Sequence, residues 1–596
     1  MSAERAPSRQ IIGLPRPSAG WLRSVVEGPI RVAERALGLS QLDEFARAVE
    51  DGDRSVPVME RVITAMSLHP QYSKSELERI PATGPVMVAS NHPFGGADGA
   101  ALLAAVLRRR PDAKLLVNGM VMRLPFFSEH AIGVDPFGGS DAPRRNALAL
   151  RDAMRWIKDG HVLVVFPAGE VSAVSWGEWT PHDALWSTVA FRLAMTAKAR
   201  VVPAWVEGTN RGVFHAAGLL HPRLRTALLP NEFVARCGKT IEMRFGRAIA
   251  TEGSSLDAEE LTRFVRGRSE LLRRTARATR GHQAQQSHAP VAAQAATPEQ
   301  LEAEFKALPA GARLFSEGAF DVFATRALAI PQAMTEIGRL REIAFRAVGE
   351  GSGKPIDIDA FDPSYTQLIV WHREKREIVG GYRAGVVAEL TKDKGVSGLY
   401  TSTLFEYSPR ILAELGDAVE LGRSFVRVEY QRQPMPLSLL WKGIGVFMFM
   451  NGHRRMFGPV SISNDYTSMS KELIMEFLER HRMSTPFAKL VSPRNPPARQ
   501  GVACWTERER AEATADLLNV ERLIEEIERG ERAVPVLLRQ YLRLNAKLLA
   551  FNVDADFGDV IDALMLVDIA QIDDRIVRHY VGDDAMAAFK QRFAGE

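Results

Sequence analysis

The chain has 596 residues, 46% hydrophobic and 25% charged, with a net charge of +4 and a pI near 9.0. That length predicts several domains, that composition excludes a largely disordered chain, and the mild basicity favours acidic partners, although no nucleic-acid-binding motif is present. Two cysteines, Cys237 and Cys504, stand far apart in no ligand spacing, which excludes a disulfide framework and a cysteine zinc site and predicts a reducing compartment.

The first ten residues are polar and predict no signal peptide, and no apolar run approaches the roughly 20 residues that span a bilayer. Residues 1–60 are expected to be a helical extension. Within it Trp21, Leu22, Val25, Val26 and Ile30 lie beside Arg23, Arg31 and Arg35, with Pro29 interrupting. This is a candidate interfacial helix; a helix packed on the domain is the alternative.

Residues 61–280 alternate strand and helix patterns. Strands are expected at Val86-Ala89, Lys114-Val117, Val162-Phe166 and Val201-Val206, with helices at Ala100-Leu107, Asn146-Asp159 and Leu185-Lys198. The first strand ends in NHPFGGADG, Asn91 to Gly99. His92 falls in a loop that Gly95-Gly96 bends into a helix, with Asp98 in its first turn. A histidine and a carboxylate held at a strand-to-helix turn are the minimum needed to take a proton from an alcohol. Three further segments complete the set: GVDPFGG (Gly133 to Gly139), FPAGEVS (Phe166 to Ser172) and VPAWVEG (Val202 to Gly208). The segment HPRLRTALLP, His221 to Pro230, mixes Arg223 and Arg225 with leucines; it is either a contact for anionic lipid or carrier protein, or a solvated surface.

In this order the motifs resemble the glycerolipid and lysophospholipid acyltransferase family. The resemblance implies an α/β mixed sheet covered by helices and acyl transfer from a thioester to a hydroxyl. It implies His92 as general base and Asp98 as the group that fixes its tautomer. The backbone N–H groups of Phe94, Gly95 and Gly96 become candidates for oxyanion stabilisation, and Phe166, Pro167, Gly169 and Glu170 for the acceptor site. Two departures stand out. The His–Asp spacing is one residue longer than the family's usual interval, and the family's FPEGTRS has become FPAGEVS. Val171 therefore occupies the position of the arginine that binds the acceptor's phosphate, and Ala168 that of the glutamate. Without a forked cation, lysophosphatidic acid is disfavoured as acceptor. Glu170 is either a partner for an ammonium headgroup or an exposed loop carboxylate.

Residues 281–300, rich in Ala, Gln, His and Pro, read as a linker. Beyond it, in 301–596, a helix is expected over Gln332-Arg346, strands at Gln367-Trp371, Glu377-Arg383 and Ser424-Tyr430, a helix at Leu437-Met450, a strand at Val460-Ser463 and a helix at Ser470-Arg480. A further helix begins near Pro535, and apolar runs follow at Leu548-Val553 and Val560-Val567. The charges fall in order: Arg341 and Phe345 on one helix face, Asp359 and Asp362 in IDIDAFD, Arg383 closing EIVGGYR, and Glu420 and Arg423 in ELGRSFV. Each alone reads as a structural ion pair.

Together they resemble the acyl-homoserine-lactone synthases and the related ornithine N-acyltransferases. The resemblance implies a GNAT-type α+β fold that moves an acyl chain from acyl carrier protein to an α-amine. The usual GNAT pyrophosphate loop is not visible, and LWKGIG, Leu440 to Gly445, is the nearest candidate. An α-amine has a pKa near 7.7–8.0, so the protein has only to orient it and accept a proton. Glu420 is the candidate acceptor, Arg383 and Arg423 candidates to hold a carboxylate or brace Glu420, and Asp359 and Asp362 candidates to organise the site. Asp554 and Asp556, in FNVDADFGD, either face a cationic side chain or mark a turn, and Met448 and Met450 either pack the core or line an acyl channel.

An N-acylating half joined to an O-acylating half resembles the bifunctional ornithine lipid synthases. The resemblance implies a peripheral enzyme at the cytoplasmic membrane surface that uses lyso-lipid and amino-acid substrates. The donor is acyl-acyl carrier protein or acyl-CoA, with no bound cofactor or metal. The alternatives are a glycine headgroup, a lysophospholipid acyltransferase with a regulatory second half, and a hemolysin-like membrane-associated binding protein.

Overall fold

The computed structural model describes residue 12 and residues 20–119, 122, 127–135, 142–175, 178–273, 291, 296–499 and 505–582. The chain divides into two compact units, Met1–Thr275 with Cys504–Glu512, and Ala276–Ala503 with Ala513–Glu596. Most of the expected linker lies outside the described residues; its last residues cap the helix Pro298–Ala307 through Thr297.

The strands of the first unit are His69–Gln71 (β1), Val86–Ser90 (β2), Ala113–Asn118 (β3), Ala131–Val134 (β4), Val162–Val165 (β5), Ala173–Ser175 (β6), Glu178–His182 (β7), Arg200–Val206 (β8) and Thr240–Phe245 (β9). A seven-stranded sheet has the order β1-β9-β8-β2-β5-β3-β4, and β6 and β7 form a separate ribbon. β2 lies between β8 and β5, parallel to both. All its residues are buried, which is why Val86 to Ala89 read as an unbroken apolar run rather than an alternation. The helix Ala97–Arg109 follows at once and packs Leu102, Leu103 and Val106 into the core with Val86, Val88, Val162 and Phe245. Because β2, β5 and β8 run parallel, the loops that follow them leave one edge of the sheet together. The mixed sheet with covering helices is the one the sequence predicts.

The helix Gly20–Ala36 runs through Pro29; the side chains of Trp21, Leu22, Arg23, Val25 and Val26 lie outside the described residues. The helix Leu39–Glu50 buries Ala46 and Val49 in the same core as β2. Residues 136–139 of GVDPFGG lie outside the described residues, while Asp135 pairs with Arg145 at 2.7 Å. The segment after His221 is a helix, Pro222–Val234.

The second unit contains Arg313–Glu317 (β10), Phe320–Arg326 (β11), Thr366–His372 (β12), Glu377–Val386 (β13), Phe405–Tyr407 (β14), Ala418–Val426 (β15), Arg455–Ile462 (β16), Val491–Pro493 (β17), Lys547–Asp554 (β18) and Val560–Asp568 (β19). Its eight-stranded sheet has the order β10-β11-β12-β13-β15-β16-β19-β18. β15 and β16 are parallel and pair over Ala418–Glu420 and Arg455–Phe457; beyond that β15 pairs with β13 and β16 with β19. The two strands thus part company inside the sheet. Gly458 sits at the fork, where a Cβ would lie 2.1 Å from the Leu421 carbonyl oxygen.

The strand expected at Ser424-Tyr430 begins earlier, at Ala418, and ends at Val426, with a 3-10 turn over Val428–Tyr430. Glu420 and Arg423 hide it from a hydropathy pattern, because their charges are buried but partnered. LWKGIG is not a loop: it lies inside the helix Pro434–Asn451. Met448 from that helix, with Trp441, Ile444, Met456 and Ile576, lines a half-open apolar pocket.

Candidate active sites

The first site is built on the end of β2. Asn91 locks it to β8 by a backbone-like pair of bonds, donating to the Val206 carbonyl at 2.9 Å and accepting from the Val206 N–H at 2.7 Å. His92 then leaves the sheet with its Nδ1 2.9 Å from Asp98 Oδ2 and its ring stacked on Phe166, centroids 4.1 Å apart. Asp98 is fully buried. Its carboxylate accepts the N–H groups of Phe94 (2.8 Å), Gly96 (3.0 Å) and Gly99 (2.9 Å), with Gly95 at 3.4 Å. Burial opposes its charge, but His92 and these donors outweigh burial and hold its pKa below the ordinary 3.8.

The Phe94, Gly95 and Gly96 N–H groups are therefore spent on Asp98, which corrects their assignment as oxyanion donors. Phe94 is held from the other side by Gly208. That glycine, the last of VPAWVEG, has φ +123, and a Cβ there would fall 2.6 Å from Phe94 Cζ.

FPAGEVS wraps the imidazole. The Ser172 N–H donates to the His92 carbonyl at 2.9 Å, Gly169 turns the loop with φ +70, and the Pro167 carbonyl accepts from the Ser187 N–H at 2.9 Å. Glu170 is a half-exposed loop carboxylate that pairs with Arg225 at 2.5 Å. Val171, at the position of the family's phosphate arginine, is buried against Gly95.

One residue the sequence did not reveal completes the site. Asp183, after β7, accepts the His92 backbone N–H (3.3 Å), the Ser172 hydroxyl and the Trp186 indole N–H (3.0 Å). Burial lowers the His92 pKa, yet Asp98 and then Asp183 overcome this and raise it above 6.5. No local spacing announces Asp183, because only the fold brings it to the turn. The arrangement is a buried carboxylate, an oriented imidazole with one ring nitrogen uncommitted, and an aromatic wall. Such a group can accept a proton from a hydroxyl.

The second site lies beside the fork. Arg341, on the helix Pro331–Arg346, donates to Asp362 and to Gln367 Oε1, both at 2.8 Å. Arg383 on β13 donates to Asp359 at 2.7 Å and lies 3.4 Å from Asp362. Arg423 on β15 lies 3.2 Å from both Asp357 and Asp359 and donates to the Tyr400 hydroxyl at 3.1 Å. It sits in a bulge with φ +51, its guanidinium 4.3 Å from the Phe557 ring centroid. Burial favours the neutral form of Asp362, but Arg341 and Arg383 outweigh it and hold its pKa down; for Asp357 burial prevails and the pKa rises. Three arginines are thus matched by three aspartates, of which the sequence singled out two. Arg383 and Arg423 hold Asp359 and do not brace Glu420. Phe345 lies one helical turn from Arg341, with Phe557 as its aromatic neighbour at 6.3 Å.

Glu420 is not a free base. Its buried carboxylate accepts from the Tyr365 hydroxyl, the Tyr400 N–H (3.0 Å), the Thr401 N–H (2.7 Å) and the Thr401 hydroxyl (2.5 Å). With four donors it fixes the loop under the site, and its assignment as proton acceptor is withdrawn. A different set of carboxylates carries perturbed protonation. Asp562 on β19 is buried and accepts from the Ser461 hydroxyl at 2.8 Å; burial and then Asp554 push its pKa up to about 7. Glu350 is pushed up to about 8 by burial and by Asp562, Asp465 and Asp554. Asp554 is raised too, chiefly by burial, against an opposing pull from Arg423. Asp554 Oδ1 also caps a turn by accepting the Asp556 N–H. The detectable signal for Asp562 was a carboxylate inside the otherwise apolar run from Val560 to Val567. No group of three or more side chains suited to a metal ion occurs among the described residues.

These two constructions define the class: a chain with an acyltransferase domain and a GNAT domain, and so an acyltransferase. Residues 57–279 match an acyltransferase family and residues 340–442 an acetyltransferase (GNAT) domain family. A glycine N(alpha)-acyltransferase of Bacteroides thetaiotaomicron is 33% identical over 269 residues, covering 42% of this chain and 77% of that protein. The chain belongs to the family of that N-acyltransferase. A lyso-glycine lipid O-acyltransferase of the same organism is 28% identical over 184 residues, 29% of this chain and 64% of that protein. Among solved structures, a CoA-dependent acyl-homoserine lactone synthase with SAM and isopentyl-CoA matches at 11% identity over 46% of this chain and 88% of that one. The TM-score of 0.22 makes this a loose overlay only.

Proposed function

We propose that the chain makes an amino-acid lipid in two consecutive acyl transfers. The second unit N-acylates an α-amine with a 3-hydroxyacyl group delivered by acyl carrier protein, and the first unit O-acylates the hydroxyl so introduced. The observation that carries this is the pairing of relatives. One organism has separate proteins named for N-acylation of glycine and O-acylation of a lyso-glycine lipid, and this single chain is similar to both.

In the first step the amine attacks the thioester carbonyl, the C–S bond breaks, and the amine's proton is lost as the amide forms. In the second, His92 takes the hydroxyl proton as the oxygen attacks a second thioester, Asp98 stabilises the imidazolium, the C–S bond breaks, and the imidazolium gives its proton to the leaving thiolate. Val171 in place of an arginine agrees with an acceptor that has no phosphate. Ornithine is the proposed headgroup. Glu350, Asp554 and Asp562 sit near the fork with little basic compensation, and a second ammonium on the acceptor relieves their repulsion. Glycine offers no such charge. In the described residues no helix is long and apolar enough to cross a membrane, and binding to the inner face of the cytoplasmic membrane belongs to the same proposal.

The test is expression in a bacterium that lacks amino-acid lipids, with lipid mass spectrometry. Wild type yields di-acylated ornithine lipid, and His92→Ala yields only the mono-acylated species. Asp562→Asn lowers the ornithine content selectively. Glycine lipid from the wild type overturns the headgroup, and accumulation of a new phospholipid overturns the relay.

A further inference from the structure

The N-acylated intermediate keeps one charge whatever its headgroup: the α-carboxylate. In an extended conjugate that carboxylate lies within roughly 7 Å of the reacting hydroxyl. A cation serving it has to stand on the rim of the His92 turn, and Val171 removes the family's usual candidate.

The helix Pro222–Val234 forms one wall of this turn. A Cβ on Gly95 would meet Leu229 at 2.7 Å, and one on Gly96 would meet Phe233 at 2.7 Å. Just past its end, Arg236 lays its guanidinium 3.9 Å from the centroid of Phe94, in the loop between His92 and Asp98. One nitrogen of Arg236 donates to the Thr209 carbonyl, and its charge interacts with Asp98 and Glu232 without pairing with either. The neighbouring cations are taken: Arg225 by Glu170 at 2.5 Å, and Arg211 by Glu232 at 2.9 Å. Among the described residues Arg236 makes no ion pair. A guanidinium pinned flat on an aromatic ring with its remaining N–H groups uncommitted is preorganised for a carboxylate.

We propose that Arg236 binds the α-carboxylate of the acceptor in the O-acyltransferase site and so selects N-acyl amino acids over uncharged hydroxy-lipids. Arg236 is a specificity residue that holds the acceptor while His92 works on its hydroxyl. This assignment rests on the relay proposed above.

The experiment uses the full-length protein with an acyl-acyl carrier protein donor. Acceptors are N-(3-hydroxyacyl)ornithine, N-(3-hydroxyacyl)glycine and the α-carboxamide of each. The wild type is expected to show a KM about tenfold to a hundredfold lower for acid than for amide. Arg236→Gln brings the acid-to-amide KM ratio to about one, while Arg236→Lys recovers part of the preference. Thermal melts of each variant separate misfolding from lost recognition. If Arg236→Gln keeps the wild-type preference, or the wild type shows none, the assignment falls and the relay stands. If the wild type acylates none of the four acceptors, both fall together.

Discussion

The imidazole of His92 sits between two opposed influences, and its pH response follows from them. In the proposed role of general base it works only when neutral. Burial favours that form, but Asp98 and Asp183 raise the pKa above 6.5. The rate of O-acylation therefore falls as pH drops through a value above 6.5. Asp183→Asn removes one of the two negative charges, lowers the His92 pKa and moves the acid limb of the kcat/KM profile to lower pH. A limb that stays in place would show that Asp183 acts on packing alone. Glu420 gives the opposite kind of forecast. Glu420→Gln turns one end of a fully subscribed acceptor into a donor facing Thr401 or Tyr365. The expected result is a loss of about 1–3 kcal/mol in the stability of the second unit, read as an earlier unfolding transition, rather than a selective loss of N-acylation.

At the scale of elements, two glycines are expected to separate the two proposed transfers. Gly208→Ala drives a Cβ toward Phe94 in a backbone with φ +123, and O-acylation falls while N-acylation persists. Gly458→Ala drives a Cβ against the Leu421 carbonyl at the fork, and N-acylation falls while O-acylation of a supplied intermediate persists. Each is measured by assaying the two transfers separately; a joint loss in either variant contradicts the assignment. The elements also show what a sequence can disclose. β2, β5 and β8 were legible because a strand buried on both faces announces itself as an apolar run. His92 and Asp98 were legible because one turn holds both. β15 was obscured by Glu420 and Arg423. Charged residues of the second site were found, but not which of them pair, nor Asp357, since Arg383 meets Asp359 only after β13 and the loop before β12 are in place. Asp183 and Arg236 left no trace for the same reason: their meaning is conferred by neighbours distant in the chain.

For the whole molecule, the relay predicts a dependence on the first acyl chain. When N-acylation is supplied with a 3-hydroxyacyl donor, both products form. With a saturated donor lacking the hydroxyl, the mono-acylated amide accumulates and the second transfer stops, although His92 is intact. Mass spectrometry of the product mixture reads this directly, and O-acylated product from a hydroxyl-free first chain would break the sequence of steps.

The short stretch from Cys504 to Glu512 belongs to the first unit although it is encoded within the second. Trp505 lies against Phe264, ring centroids 5.4 Å apart, Arg263 pairs with Glu509 at 2.7 Å, and Arg508 with Glu260 at 2.8 Å. A ribosome working from the amino end thus releases an acyltransferase domain with one strap missing and supplies it only after most of the GNAT sheet has emerged. The gene cannot be cut between its halves without leaving the first product unbuckled. The first unit is therefore tied to the second by the needs of its own folding, independently of the proposed relay.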